Sequence, residues 1–177
     1  MLVGQLYRPP IESPIEPMTL VSSSEGLRAV LWSNDVDRSR TRDRVRLDGW
    51  VEGASEVLHE AVQQLDGYFA GTLRTFDLPL DPAGTEFQVA VWRALAEVPY
   101  GETTSYGKQA ANLGRPTAVR AVAAANGRNP LSIVLPCHRI VGADGSLTGF
   151  AAGIPAKKWL LDHESRHAHG HQRLPGL

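Results

Sequence analysis

Ile133-Val-Leu-Pro-Cys-His-Arg-Ile-Val141 sets the only cysteine of the chain between two β-branched apolar runs. A cysteine so placed is commonly a small buried hydrophobe. Three neighbours point to a reactive thiol instead. Pro136 removes a backbone donor and interrupts a strand just before the sulfur, as a special turn requires. His138 supplies a base, and Arg139 adds positive charge; either can depress a thiol pKa. Adjacent residues of a regular strand face opposite ways, so Cys137 and His138 cooperate only if the backbone turns or a water bridges them.

Upstream of this stretch the pattern is helical. Thr85 and Gln88 form a capping-box pair, and Phe87, Val91, Leu95 and Val98 give an apolar stripe that Pro99-Tyr-Gly ends. A shorter helix is expected from Ser105 to Leu113, stopped by Gly114. A third is bracketed by Pro116 and Gly127 and runs from Thr117 to Ala125. The last two make a helix-turn-helix candidate, whose second helix usually meets DNA. On that helix Val119 and Val122 can face the core, leaving Arg120, Ala121 and Ala124 outward. The same pattern fits a small-residue helix packed on a neighbour with Arg120 in a salt bridge.

The N-terminal half has a different texture. Met18–Ser22 and Leu27–Trp32 are β-prone runs joined by Ser-Glu-Gly, a hairpin. Ala54, Leu58, Ala61, Leu65 and Tyr68 or Phe69 follow helical spacing up to Gly71. Phe76 to Pro82 reads as a short strand and linker, which divides the chain into residues 1–81 and 82–177. Arg38, Arg40, Arg42, Arg44 and Arg46 alternate within 35–46; this segment reads as a solvated loop or edge strand, although one face could touch phosphates.

Bulk properties fit this division. The 177 residues are 42% hydrophobic and 21% charged, as in an ordinary globular protein. Residues 1–81 carry 8 Lys and Arg against 13 Asp and Glu, and residues 82–177 carry 10 against 6, so the net charge of −1 hides an acidic half and a basic half. A basic C-terminal half suits a polyanion. No basic, apolar leader opens the sequence and no run is long enough to span a bilayer, so a reducing cytoplasm is the expected compartment.

Pro136-Cys-His-Arg139 resembles the signature of the O6-alkylguanine-DNA alkyltransferases, also called methylated-DNA–protein-cysteine S-methyltransferases. The resemblance extends through Phe87-Gln88, Val91-Trp92, Pro99-Tyr-Gly-Glu-Thr, Ser105-Tyr-Gly107, Arg120-Ala-Val, Ala125-Asn-Gly-Arg-Asn-Pro130 and Gly153 through Trp159-Leu-Leu-Asp-His-Glu164. It is looser in the first half, where Ser13 to Leu20 resembles the family's opening strand, with Glu16 at a common glycine position, and Tyr68-Phe-Ala-Gly71 matches a helix end.

The resemblance implies a ribonuclease-H-like α/β N-terminal domain and a mainly α C-terminal domain with a helix-turn-helix. It implies irreversible, single-turnover transfer of an alkyl group from O6-alkylguanine, and from O4-alkylthymine, to Cys137. His138 would take the thiol proton through a water, Glu164 would orient and charge-stabilise the histidine, Asn129 would brace the turn, and Tyr106 would donate to the departing purine. Arg120 would fill the space left by the extruded nucleotide, with Ala121, Ala124, Thr117 and Arg128 against DNA. Ile140, Phe150, Ala151 and Lys157 would line the pocket, behind a flexible loop from Gly142 to Gly149. Phe150 stands where the family usually has tyrosine.

No cofactor is implied. His163, His167, His169 and His171 read as a disordered polar tail, and no metal site is expected. Double-stranded DNA is the expected partner, with the protein a monomer in solution and cooperativity on DNA left open. Two other readings stay in view. One is a non-catalytic protein that binds alkylated bases or regulates transcription; the other is a Cys-His hydrolase, in which Arg120 and the helix pair have no role.

Overall fold

The computed structural model describes residues 1–33 and 50–168. The arginine-rich segment, His169 and His171 lie outside the described residues. The expected hairpin is present as β2 (Met18–Ser22) and β3 (Leu27–Trp32), antiparallel with a register shift at Val21/Ser22. Two strands join it that the pattern did not announce. β1 (Val3–Tyr7) runs antiparallel to β2, and β4 (Val51–Glu52) runs parallel to β1, giving the order β3-β2-β1-β4.

Helix α1 (Glu56–Phe69) packs on this sheet, with the Ser55 hydroxyl accepting from Leu58 N and Leu58, Ala61, Leu65, Tyr68 and Phe69 all buried. Ala54, placed in the helix stripe from sequence, falls before the cap and is exposed. The strand expected within 76–82 is reduced to one bridge, Leu27 to Leu80, where an Arg28–Asp81 ion pair of 2.7 Å fixes the passing chain.

The second half is helical. α2 (Glu86–Leu95) has the full Thr85/Gln88 capping box; α3 (Tyr106–Asn112) is capped by Ser105. α4 (Val119–Asn126) begins two residues later than expected and has no side-chain cap. Gln109 and Asn126 exchange amide hydrogen bonds of 2.6 and 3.3 Å between α3 and α4, and Trp92 Nε1 donates to Ala125 O at 2.8 Å. These buried bonds fix the angle of the helix pair, because each lost partner would leave a desolvated polar group.

A two-residue parallel ladder joins β5 (Thr104–Ser105) to β6 (Ile140–Val141), and α5 (Ile154–Ala168) closes the fold. One apolar core runs through both halves, from Leu20 and Leu58 to Leu95, Ile133 and Leu160. None of the described helices is long and apolar enough to cross a membrane.

The segment that leads to the cysteine is attached to the N-terminal sheet. Val30 N donates to Pro130 O at 2.8 Å, Val30 bridges Leu131, and Trp32 Nε1 donates to Ser132 Oγ at 3.1 Å. The Ile133 run is therefore not a strand: residues 132–134 form a turn, with Ile133 buried at φ 72°. A β-branched residue in that region is a genuine outlier, held here by the packing on either side.

Candidate active site

Pro136 ends the turn, and Cys137–Arg139 form a single 3-10 turn rather than an extended strand. This removes the objection that neighbouring side chains must point apart. Cys137 is half-buried, while His138 and Arg139 are buried.

His138 is held at one nitrogen only. Its Nε2 lies 2.6 Å from Glu164 Oε1. An ionised carboxylate only accepts, so Nε2 carries the hydrogen and Nδ1 of the neutral ring is an acceptor. Nδ1 is buried and makes no hydrogen bond among the described residues. Burial lowers the His138 pKa despite the carboxylate, so the ring rests in the neutral, proton-accepting form at neutral pH.

Glu164 is the hub. Oε1 accepts from His138 Nε2, from Tyr68 Oη at 2.8 Å and from Arg139 Nη2 at 3.1 Å; Oε2 accepts from Arg139 Nε at 2.9 Å and Gly101 N at 3.2 Å. Although burial alone would raise it, these donors, His138 first and then Arg139, hold the carboxyl down at about 2. Arg139 spends its remaining reach on Val98 O, at 2.6 Å. The arginine next to the cysteine thus neutralises Glu164 and does not activate the sulfur as its sequence position suggested.

The thiol pKa itself is pushed up, not down, because burial outweighs a hydrogen bond from Asn129 and the charge of Lys157. The sulfur is protonated at rest and needs a base at the moment of reaction. Lys157, fully buried, supplies the nearby positive charge; its Nζ donates to Ile140 O at 2.5 Å and Thr148 O at 2.8 Å. Burial lowers the Lys157 pKa, partly countered by Cys137.

Asn129 spans the turn, with Nδ2 donating to Leu135 O at 2.7 Å and Oδ1 accepting from Leu131 N at 3.0 Å. The loop 142–149 carries its own bonds: Gly142 N to Ser146 O, Gly145 N to Gly142 O, and Asp144 Oδ1 accepting from Ser146 N. Lys157 ties its end down at Thr148, where Tyr106 Oη also donates, at 3.4 Å. Phe150 packs edge-on against both His138 and Trp32. Ile140 is buried with its carbonyl engaged by Lys157, and Ala151 is exposed.

The outer face of α4 contrasts with this interior. Arg120, Ala121 and Ala124 are exposed, as are Thr117 before the helix and Arg128 after it, and Val122 and Ala125 are buried. Neither Arg120 nor Arg128 forms an ion pair among the described residues, so the salt-bridge alternative for Arg120 has no partner there.

Residues 6–82 match the family model of the 6-O-methylguanine DNA methyltransferase ribonuclease-like domain, and residues 86–166 match that of its DNA binding domain. This chain belongs to the methylated-DNA–protein-cysteine methyltransferase family. A methyltransferase of that name from Methanosarcina acetivorans is 48% identical over 90% of this chain and 98% of its own length. One from Mycolicibacterium paratuberculosis is 46% identical, covering 89% and 92%. The crystal structure of Mycobacterium tuberculosis OGT in complex with DNA superposes with a TM-score of 0.79 at 41% identity, covering 93% of this chain and 94% of the other. The α/β and helical halves are the two domains of the methyltransferase family.

Two histidines assigned to a tail from sequence are structural parts of this fold. His163 is buried in α5, its Nε2 2.9 Å from Tyr68 O and its ring stacked on Trp159 at 4.9 Å. His167 Nδ1 lies 2.8 Å from His163 O, and its ring occupies the space a side chain at Gly71 would need. No metal-holding cluster exists among the described residues. Residues to which sequence reading assigned no part in supporting the site are Tyr68, Trp32, Gln109 and Asn126. Only the last two carried a local signal, as amides beside buried alanines on apolar helix faces.

Proposed function

We propose that this protein repairs DNA by moving the alkyl group of O6-alkylguanine, and of O4-alkylthymine, onto Cys137, once per molecule. The reading is carried by one observation: a half-buried thiol beside a neutral histidine whose Nε2 is fixed to an ionised carboxylate and whose Nδ1 is uncommitted. His138 accepts the thiol proton at Nδ1 through a water. The sulfur lone pair attacks the alkyl carbon, the carbon–O6 bond breaks, and its electrons go to the purine. Tyr106 donates to the purine as that charge develops. The proton held by His138 is given up through solvent while the purine anion takes one up, so the products are a thioether and an unmodified base; a thioether is a poor leaving group, so turnover stops.

Glu164 holds the imidazole and favours the imidazolium that forms, Lys157 favours the thiolate, and Asn129 holds the turn. Access requires the nucleotide to leave the stack. Arg120 takes the vacated space, and the exposed Ala121 and Ala124 let α4 approach the minor-groove floor, with Thr117 and Arg128 beside the phosphates. Phe150 and the backbone at Ile140 and Ala151 wall the pocket. The working unit is a monomer in a reducing cytoplasm, divided into residues 1–81 and 82–177.

Incubation with duplex DNA containing O6-methylguanine, followed by peptide mass mapping, tests this directly. The Cys137 peptide gains one methylene and the lesion disappears in equal amount. An unmodified peptide with tight lesion binding supports the non-catalytic reading instead, and repeated turnovers point to a hydrolase.

A further inference from the structure

A hydroxyl of the N-terminal half is bonded to the carboxylate that holds His138. Tyr68, the penultimate residue of α1, is fully buried, and its Oη donates at 2.8 Å to Oε1 of Glu164, the same oxygen that holds His138 Nε2. Its position is fixed independently of that bond. The ring meets Phe69, Phe76, Tyr100 and His163 at centroid separations of 5.4 to 6.0 Å, and its carbonyl is bonded to His163 Nε2. A donor held so firmly dictates where the carboxylate oxygen sits.

We propose that Tyr68 is a positioning residue for alkyl transfer: by fixing and partly neutralising Glu164 Oε1, it sets how strongly Glu164 holds the His138 proton and so the pH at which His138 can act as base. This rests on the transfer reading above. The titratable groups around the pair are Tyr68 from α1, Tyr100 from the turn after α2, Cys137 and Arg139 from the 3-10 turn, and Lys157 and His163 from α5. Of these, Tyr68 and Arg139 are the two that bond the carboxylate oxygen shared with His138.

Removing the hydroxyl leaves Oε1 with two donors and a more concentrated charge. The carboxylate then favours the imidazolium more strongly, and the acid limb of the rate profile moves to higher pH. Tyr68→Phe keeps the ring and its packing. Tyr7→Phe is the control, since Tyr7 Oη donates to Asp66 Oδ1 in the same half and does not touch Glu164.

Single-turnover transfer from duplex DNA containing O6-methylguanine is followed across the pH range for all three proteins, together with the NMR titration of His138. Tyr68→Phe is expected to slow transfer by roughly three- to tenfold on the acid limb, with the deficit closing toward alkaline pH, and to raise the His138 midpoint; Tyr7→Phe superimposes on the wild type. A Tyr68→Phe profile identical to wild type, or one lowered equally at every pH in step with a fall in Tm, overturns the proposal. If the wild type itself transfers nothing, the functional reading fails, while an unmoved His138 titration in Tyr68→Phe separately refutes the coupling.

Discussion

The cluster beneath the thiol and the outer face of α4 solve opposite problems. Around Glu164 both carboxylate oxygens are filled, by donors drawn from α1, the turn after α2 and the cysteine turn, while His138 Nδ1 has no partner among the described residues. On α4 the exposed side chains include Arg120, which has no ion-pair partner among the described residues, and Ala121 and Ala124. The difference separates chemistry from access. The interior is fixed in advance for a charge that appears only during reaction, and the exterior is kept bare for contacts that only DNA supplies.

Variants can break that division from either side. The largest effect is expected for Cys137→Ser, which should abolish methylene gain entirely while leaving duplex affinity intact in a gel-shift assay. Glu164→Gln strikes the interior: it leaves a buried guanidinium without its countercharge, and denaturant unfolding should show a loss of about 3–5 kcal/mol. Arg120→Ala strikes the exterior. Stability should stay within about 0.5 kcal/mol of wild type, while transfer from duplex DNA containing O6-methylguanine falls by roughly tenfold or more.

Acid provides a finer probe. Glu164 is held at about 2 against an ordinary 4.5, so its contribution, on the order of 3 kcal/mol, is present above pH 4.5 and lost as pH falls toward 2. Urea unfolding across that window should show the loss in wild type and not in Glu164→Gln. The smallest effect is expected for Phe150→Tyr. The ring packs edge-on between Trp32 and His138, and a hydroxyl there, donating to guanine O6 as the family's usual tyrosine would, should speed transfer by a few-fold; a variant that reacts no faster counts against a role for that donor.

What the sequence revealed follows the range of the forces involved. The Thr85/Gln88 box, the α1 stripe from Leu58 onward and the hairpin are local, and all three are present. The outward face of α4 was legible because Val119 and Val122 mark its inward one; Val122 is buried and Val119 packs partly buried on the core. The residues around the lone cysteine pointed to Cys137 and His138, and the resemblance added Glu164. What connects them to the rest was not legible: Trp32 meets Ser132 across 100 residues and Tyr68 meets Glu164 across 96, pairings with no trace in periodicity. Arg139 was misread because adjacency to Cys137 suggested a partner, whereas the partner lies 25 residues away. β4 is too short to show alternation, and His163 and His167 sit in a polar composition that hides a buried helix face.

Lys157 gives the reaction a direction in time. It is a buried ammonium held by two carbonyls, and the anion that complements it is the Cys137 thiolate. An alkylated sulfur can never ionise again. At rest the thiol is protonated, so the matching anion forms only as the reaction begins; the spent molecule keeps the same buried cation but can never again form its anion, and that lost capacity is a permanent record that the molecule has acted.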